Sequence, residues 1–171
     1  ACMREANRLI RDQQEEQHCR MMTTLALLRL SGARAQLAYV GDTRIYWIRG
    51  GEIIYQTKDH SIPQMMVTCG EITYDQIRGH ESRNLLTRAL GYKDDVTAEH
   101  FAGRIRRGDR LLLCTDGLTN MVADDDIAQV LREVPFFDAT SILVDRALQA
   151  GGQDNITVLL MGVEATEVNN G

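Results

Sequence analysis

The chain lacks the features that mark several special classes of protein. None of its apolar runs approaches the ~20 residues that a membrane span needs, and its N-terminus has no charged segment followed by an apolar one, as a secretory signal would have. Internal repeats and low-complexity tracts are also absent. The net charge of -5 argues against a nucleic-acid surface, which would show clustered lysine and arginine. We therefore expect an ordinary globular protein of the cytoplasm, whose acidic balance suits a site for divalent cations.

Cysteine pairs with the spacing of metal ligands are absent too. The four cysteines include no Cys-x-x-Cys pair and stand in apolar, helix-like or strand-like settings: Cys2, Cys19, Cys69 and Cys114. We interpret them as reduced thiols in the core, not as disulfides or metal ligands.

A length of 171 residues predicts one domain, which we place at 1–163 with a loose tail at 164–171. The chain opens inside an amphipathic helical pattern with no capping residue ahead of it, and the pattern becomes wholly polar at 11–17. The apolar face of this helix would consist of Cys2, Met3, Ala6, Leu9 and Ile10. We expect the polar half to project into solvent or fray. The abrupt start indicates that an upstream part is missing.

Short runs rich in Leu, Val, Ile, Tyr and Trp follow, separated by two-residue turn signals. They predict an antiparallel meander of four strands at 23–30, 34–40, 43–49 and 52–56. A helical insert is expected at 61–79, and the remaining chain predicts strands at 84–90, 97–105, 110–114 and 155–163. Two late helices, at 124–133 and 138–150, each open with an aspartate that can cap them. Sequential, hairpin-linked strands with a late helical pair predict an α+β fold.

Three aspartates stand beside these strands. Asp116 follows the predicted strand 110–114 after one residue and precedes Gly117. Asp154 comes just before the last strand, and Asp42 lies at a hairpin. Each has an alternative role as an ordinary turn or cap residue. If the last two strands are neighbours, Asp116 and Asp154 come from the same region of a sheet, where two like charges require a cation.

Oxygen ligands with no nearby histidine or cysteine favour Mg²⁺ or Mn²⁺ over Zn²⁺. Two such ions about 4 Å apart would lower the pKa of a bridging water and clamp a phosphoryl oxygen. Hydrolysis of a phosphate ester would then need no nucleophile from the protein.

Five short motifs occur in a characteristic order. They are Val-Gly-Asp-Thr-Arg at 40–44, Asp-His-Ser at 59–61, the segment 83–91, the segment 108–118 with Thr-Asp-Gly, and the segment 151–158 with Gly-Gly-x-Asp-Asn. Together they closely resemble the metal-dependent protein phosphatases of the PPM or PP2C family, bacterial branch, over about 6–163. The resemblance implies an α+β sandwich of two antiparallel sheets flanked by helices, with a metal centre at one edge between the sheets.

The resemblance also implies roles for individual residues. Asp116 and Asp154 match direct metal ligands, and Asp42 matches the acid that helps hold an additional, weaker metal site, often through water. Residues 61–82 match the variable flap beside the site. His60 matches a histidine that is not the catalytic one, so we expect a structural role for it.

Two of the family's leading elements do not occur in this sequence. They carry Arg-x-x-Asn-Glu-Asp and Asp-Gly-x-Gly-Gly-His, which would supply the phosphate-binding arginine, the carboxylate that bridges both metals and the histidine nearest the leaving group. The chain would thus be a C-terminal portion, a partial PP2C-like domain with lost strands and exposed sheet edges. We expect it to be inactive or weakly active alone, and to dimerise, exchange strands or associate with the missing piece.

The sequence therefore predicts a serine/threonine protein phosphatase that uses two or three Mg²⁺ or Mn²⁺ ions in its complete form. Its substrates would be phosphoserine and phosphothreonine proteins. Two alternatives stay open: a phosphatase-like binding or regulatory module without catalysis, and an unrelated α+β domain with accidental motif matches.

Overall fold

The computed structural model describes residues 2–164, and these residues divide into two compact units. The first unit contains 2–29, 36–44 and 58–102, and the second contains 30–35, 45–57 and 103–164. All of the predicted tail except Glu164 lies outside the described residues. Within 2–164 no helix is both long enough and apolar enough to cross a bilayer.

The α+β class predicted from the sequence is confirmed. The elements in chain order are α1 (Cys2–Gln17), β1 (Leu25–Ser31), β2 (Arg34–Val40), β3 (Arg44–Arg49), β4 (Glu52–Gln56), α2 (Ile62–Thr68), a 3₁₀ turn (Tyr74–Gln76), β5 (Glu99–Arg104), β6 (Arg110–Cys114), α3 (Asp116–Thr119), α4 (Asp124–Glu133), α5 (Phe136–Gln149) and β7 (Val158–Gly162). The strands form one sheet of three, in the order β1-β2-β5, and one of four, in the order β4-β3-β6-β7.

The predicted four-strand meander is wrong, because the chain changes sheets between β2 and β3. Strands β1 and β2 belong to the three-stranded sheet, whereas β3 and β4 belong to the four-stranded one. A strand has only two edges, and those of β3 are occupied by β4 and β6. No edge of β3 is therefore open to β2, and Gly41–Thr43 joins two sheets instead of turning a hairpin.

Helix α1 differs from its prediction in its buried face. Met3 is buried and packs in a small core with Val40 and Leu90, but Cys2 is exposed and Leu9 is 55% exposed. The helix continues to Gln17 and its polar half is mostly exposed, so of the two predicted alternatives it projects into solvent and does not fray.

The buried side chain of Asn7 attaches α1 to the rest of its unit through hydrogen bonds, where apolar contacts had been predicted. Asn7 is 1% exposed. Its Nδ2 donates to the carbonyls of Lys93 (2.9 Å) and Asp94 (3.0 Å), and its Oδ1 accepts the N–H of Gly91 (2.7 Å). Since buried polar groups are costly unless they are paired, this full set of partners ties α1 to the loop before β5.

The predicted strand at 84–90 does not form. Only two isolated bridges occur there, Ser61 with Leu86 and Thr23 with Leu90. The two ends of the segment thus contact two different parts of the chain, so the apolar pattern finds no continuous partner strand.

The core of the second unit lies between β6 and the two late helices. Leu112 on β6 packs with Ile127 and Leu131 of α4 and with Leu143 of α5, and all four are at most 1% exposed. The expectation that aspartates cap these helices is wrong. Ala123 and Pro135 occupy the cap positions without any side-chain capping bond.

The carboxylate of Asp124 has a different role, since it lies in the first turn of α4 and faces the sheet. It accepts hydrogen bonds from the Tyr46 hydroxyl (2.7 Å) and from Gln56 Nε2 (2.9 Å). Asp124 therefore fastens α4 to strands β3 and β4.

All four cysteines are free, as predicted, but their predicted burial is wrong for three of them. Cys114 is buried at the end of β6, whereas Cys2, Cys19 and Cys69 are exposed. Apolar residues next to a cysteine in the sequence therefore did not predict whether its thiol is buried.

Asp109 is a buried acid that the sequence patterns did not single out. It is fully buried and accepts hydrogen bonds from Trp47 Nε1 (2.9 Å), from Arg49 Nε and Nη2 (2.8 and 2.7 Å) and from the N–H of Arg106 (2.9 Å). Burial acts to raise the pKa of Asp109, but these donors outweigh it and hold the pKa below its usual value. Asp109 thus anchors the start of β6 to β3.

Candidate metal centre

The ends of β6 and β7 bring the two Asp-bearing segments together. The strands pair antiparallel in a register that ends with Cys114 opposite Val158. Beyond it, the N–H of Thr115 donates to the carbonyl of Thr157 (3.1 Å), and the N–H of Thr157 donates to Thr115 Oγ1 (3.0 Å). Thr115 Oγ1 also donates to the carbonyl of Asn155 (3.1 Å). The two strands are therefore neighbours, which meets the condition under which Asp116 and Asp154 come from the same region of a sheet.

Gly117 allows the two segments to come closer than side chains would permit. A Cβ at this position would lie 2.9 Å from the carbonyl carbon of Asn155, closer still to its oxygen, and 3.3 Å from Ile156 Cγ1. Asp116 directly precedes this contact on one side and Asp154 directly precedes it on the other. Asp116 and Asp154 therefore both lie at the same end of the paired strands, each next to the contact.

The two carboxylates have different surroundings. Asp116 is partly buried, and its Oδ2 accepts a hydrogen bond from Asn120 Nδ2 (3.3 Å) one turn further along. Asp154 is exposed, and its Oδ1 accepts the N–H of Asn155 (2.6 Å). Asp154 thus has the local turn role considered from the sequence, because its carboxylate binds the backbone N–H of the next residue. The carboxylate nevertheless lies at the surface.

Asp42 lies in the first unit, between Gly41 and Thr43, and is partly buried. The Thr43 hydroxyl is hydrogen-bonded to the Thr24 hydroxyl (2.7 Å). Gly41 packs directly on Thr24, so the turn that carries Asp42 is held against the start of β1.

His60 is built into the same unit as a buried, fully engaged side chain. It is 5% exposed, and its ring stacks on Tyr39 with centroids 5.1 Å apart. Nδ1 accepts the N–H of Gly41 (3.0 Å), and Nε2 lies 3.2 Å from Glu99 Oε1. Because Gly41 N–H can only donate, the ring proton must be on Nε2, which donates to Glu99. These contacts agree with the structural role expected for His60.

The charge state of this pair follows from its environment. Burial lowers the pKa of His60, and the nearby Arg88 guanidinium acts in the same direction, while Glu99 opposes them. Burial acts to raise the pKa of Glu99, but hydrogen bonds from Tyr39 and His60 outweigh it and hold that pKa below its usual value. A neutral imidazole beside an ionised carboxylate is the resulting state.

The donors present fit a hard divalent cation in kind but are few in number. Within residues 2–164, no group of three His, Cys, Asp or Glu side chains comes together in a way that could hold a metal. The β6–β7 end offers the two carboxylates of Asp116 and Asp154. Carboxylate oxygens are ligands that Mg²⁺ and Mn²⁺ accept together with water.

Several residues of the quoted motifs shape these sites in ways that the sequence did not reveal. The Thr115 hydroxyl links the two Asp-bearing segments, and the Arg44–Asp59 ion pair supports the turn of Asp42 with both side chains 10% exposed. Their contacts could not be predicted, since a threonine before an aspartate and charged residues are ordinary in loops and the partners lie far apart in sequence. The flap expected at 61–82 contains α2. Ser61 Oγ caps this helix by accepting the N–H of Gln64 (3.4 Å). Contact between the flap and a substrate stays a prediction.

The chain matches no family model. It is nevertheless 37% identical over 151 residues to the protein phosphatase PhpP of Streptococcus pneumoniae, a match that covers 88% of this chain and 61% of PhpP. The chain thus spans about three fifths of the length of this curated relative.

Solved structures give the same result. The catalytic domain of the serine/threonine protein phosphatase PstP, in complex with two manganese ions, is 36% identical and superposes with a TM-score of 0.84 over 95% of this chain and 68% of PstP. The PPM Ser-Thr phosphatase MsPP of Mycobacterium smegmatis is 32% identical, with a TM-score of 0.82 over 94% of this chain and 70% of MsPP. On sequence identity, coverage and fold together, the chain belongs to the PPM family of serine/threonine protein phosphatases.

Proposed function

We propose that the protein to which this chain belongs is a divalent-metal-dependent phosphatase of phosphoserine and phosphothreonine proteins, and that Asp116 and Asp154 hold its metal ions. The observation that carries the proposal is the close approach of the two Asp-bearing segments at Gly117. Family membership supports the reaction class, and the manganese ions of the related PstP structure support the kind of cofactor.

In this proposal the acids act as ligands and the neighbouring residues orient them. Asn120 directs the partly buried Asp116 carboxylate through its side-chain amide, and the backbone of Asn155 directs that of Asp154. Bound Mg²⁺ or Mn²⁺ would supply acidification of a water and neutralisation of phosphoryl charge. Asp42 would hold a weaker, additional ion, so that two or three ions serve the complete protein.

We also propose that this chain associates with another polypeptide or with a second copy of itself. Outer strands of both sheets carry exposed leucines, Leu27 and Leu30 on β1 and Leu159 on β7. Outer strands offer unpaired backbone groups to a further strand. Concentration-dependent light scattering tests this point, and a monomer at high concentration would count against it. A cytoplasmic address and phosphoprotein partners complete the proposal.

Manganese binding by the isolated chain tests the metal assignment directly. We expect Asp116→Asn and Asp154→Asn each to weaken Mn²⁺ binding by roughly 10- to 100-fold, a loss that removal of even an outer group around a metal can cause. Asp145→Asn is the matched control, because this exposed acid on α5 undergoes the same charge change. Equal binding by all three variants and the wild type would overturn the assignment.

Hydrolysis of p-nitrophenyl phosphate with Mn²⁺ separates the enzyme from the alternative. Turnover by this chain that disappears in Asp116→Asn would establish an active phosphatase. Absence of turnover, together with turnover by a longer version of the protein, would identify this chain as one part of the enzyme. Absence of turnover in both would favour a binding or regulatory module.

A further inference from the structure

Both backbone polar groups of Gly41, the residue before Asp42, are bound by His60. The N–H of Gly41 donates to His60 Nδ1 (3.0 Å), and the carbonyl of Gly41 accepts the N–H of His60 (3.0 Å). Gly41 has a φ of +106°, in the left-handed region that favours glycine. A Cβ on Gly41 would also lie 2.5 Å from the Cβ of Thr24. The conformation of this residue is therefore imposed from outside the turn.

His60 is itself held by contacts outside the turn, at its ring, at Nε2 and at its backbone carbonyl. Its ring is parallel to that of Tyr39 within 9°, and its carbonyl accepts the N–H of Thr87 (2.7 Å). Glu99, which receives the His60 Nε2–H, also accepts the Tyr39 hydroxyl (2.8 Å). Tyr39 in turn accepts the N–H of Lys58 (3.2 Å). The imidazole thus has one orientation and one tautomer.

An ion pair between Arg44 and Asp59 holds the turn on the C-terminal side of Asp42. Arg44 Nε and Nη2 bind Asp59 Oδ1 and Oδ2 at 2.8 and 2.7 Å. Two parallel bonds between a guanidinium and a carboxylate fix geometry as well as adding energy. Since Asp59 directly precedes His60, one short segment holds the chain both before and after Asp42.

We propose that His60 is a positioning residue that sets the backbone of Gly41 and thereby the direction of the Asp42 carboxylate. The metal role of Asp42 rests on the proposed function, whereas the grip of His60 on the turn does not. A glycine at positive φ has wide conformational freedom of its own. Without the Nδ1 acceptor, the turn would sample other conformations and Asp42 would lose its fixed direction.

Two substitutions separate the roles of the two ring nitrogens. His60→Asn keeps a carbonyl oxygen near the position of Nδ1 and loses the donor to Glu99. His60→Gln keeps an amide N–H near the position of Nε2 and loses the acceptor for Gly41. A role limited to core packing would make both variants fail alike. His100→Gln is the control, because His100 is exposed on the same strand as Glu99.

Amide hydrogen exchange and chemical shifts of the metal-free chain give the first readout. Loss of one hydrogen bond in His60→Gln should speed exchange of the Gly41 amide by about tenfold, which corresponds to about 1.4 kcal/mol and lies within the range for one such bond. The shifts of Asp42 should move in the same variant. His60→Asn and His100→Gln should keep both near the wild type. Unchanged exchange at Gly41 in a folded His60→Gln chain would overturn the proposal.

Paramagnetic broadening by Mn²⁺ gives the second readout. We expect broadening at Gly41 and Thr43 in the wild type and in His60→Asn, and a loss of it in His60→Gln and Asp42→Asn. A further outcome is that Gly41 exchange responds as expected while Mn²⁺ broadens neither Gly41 nor Thr43 in any variant. That outcome would support the positioning of Gly41 by His60 and overturn the metal role of Asp42. Broadening that persists in His60→Gln would overturn the positioning of Asp42.

Discussion

Replacing Gly117 with alanine tests whether the backbone segments that carry Asp116 and Asp154 meet as closely as the structure shows. The added Cβ would lie 2.9 Å from the carbonyl carbon of Asn155 and closer to its oxygen. Carbon atoms pack favourably at about 3.5 to 4.0 Å, so the Asn155 backbone must retreat by roughly 0.6 Å or more. Inserting a carbon where the neighbour is backbone costs about 1 to 3 kcal/mol.

This cost opposes the ordinary effect of the same substitution. Alanine in place of glycine favours a helix by up to about 1 kcal/mol, and Gly117 lies in α3. Gly79→Ala is the matched control, because a Cβ at Gly79 would meet nothing within 4 Å and its φ is not in the left-handed region. We expect the control to change stability by less than about 1 kcal/mol.

Thermal and urea unfolding followed by circular dichroism measure the difference. With the helical gain subtracted, the net cost is about 0 to 3 kcal/mol. In a chain of this length each kcal/mol shifts Tm by about 2 to 4 °C, so Gly117→Ala should lower Tm by up to roughly 12 °C. Mn²⁺ binding should weaken with it, because Asp154 moves away with Asn155. A Gly117→Ala chain as stable as Gly79→Ala, with unchanged Mn²⁺ binding, would show that the two segments do not meet closely at Gly117.

Three further predictions concern stability. Asp109→Asn should destabilise the chain by about 2 to 4 kcal/mol in urea unfolding, somewhat less than loss of a fully buried pair, because Arg49 is 29% exposed. The pKa of Asp109 is lower in the folded chain, so the unfolded chain binds more protons between the folded pKa and about 3.9. The stabilisation is therefore present above that window and is lost as pH falls through it. The free energy of unfolding, measured at pH 5, 4 and 3, should fall with pH less steeply in Asp109→Asn than in the wild type, and equal slopes would contradict this prediction. Ala123→Ser should stabilise α4 by about 0.5 to 2 kcal/mol by supplying the absent cap, which a raised Tm checks.

Much of the fold followed from local patterns, and its errors have physical causes. Alternating apolar residues and glycine turns predicted the bounds of β2, β4 and β6 as the structure has them. They could not predict that β3 pairs with β6, because pairing across 60 residues depends on which edges remain open. The segment at 84–90 had strand chemistry but no single partner, so only isolated bridges formed.

The candidate site shows the same division. Motif order pointed to Asp116, Asp154 and Asp42, and the structure adds which groups surround them. The close approach at Gly117 and the buried ion pairs of Asp109 and Arg44 depend on residues far apart in sequence, so no local window could reveal them.

The family resemblance, the α+β class and the residue types of the site could be predicted from the amino-acid sequence, because they depend on short-range patterns and on the order of motifs. Folding was needed to reveal which strands share a sheet, that the Asp116 and Asp154 segments meet at Asn155, and that His60 faces Gly41. The reason is that a carboxylate or an imidazole acquires its direction and charge state from neighbours in space, and the chain brings those neighbours together only on folding.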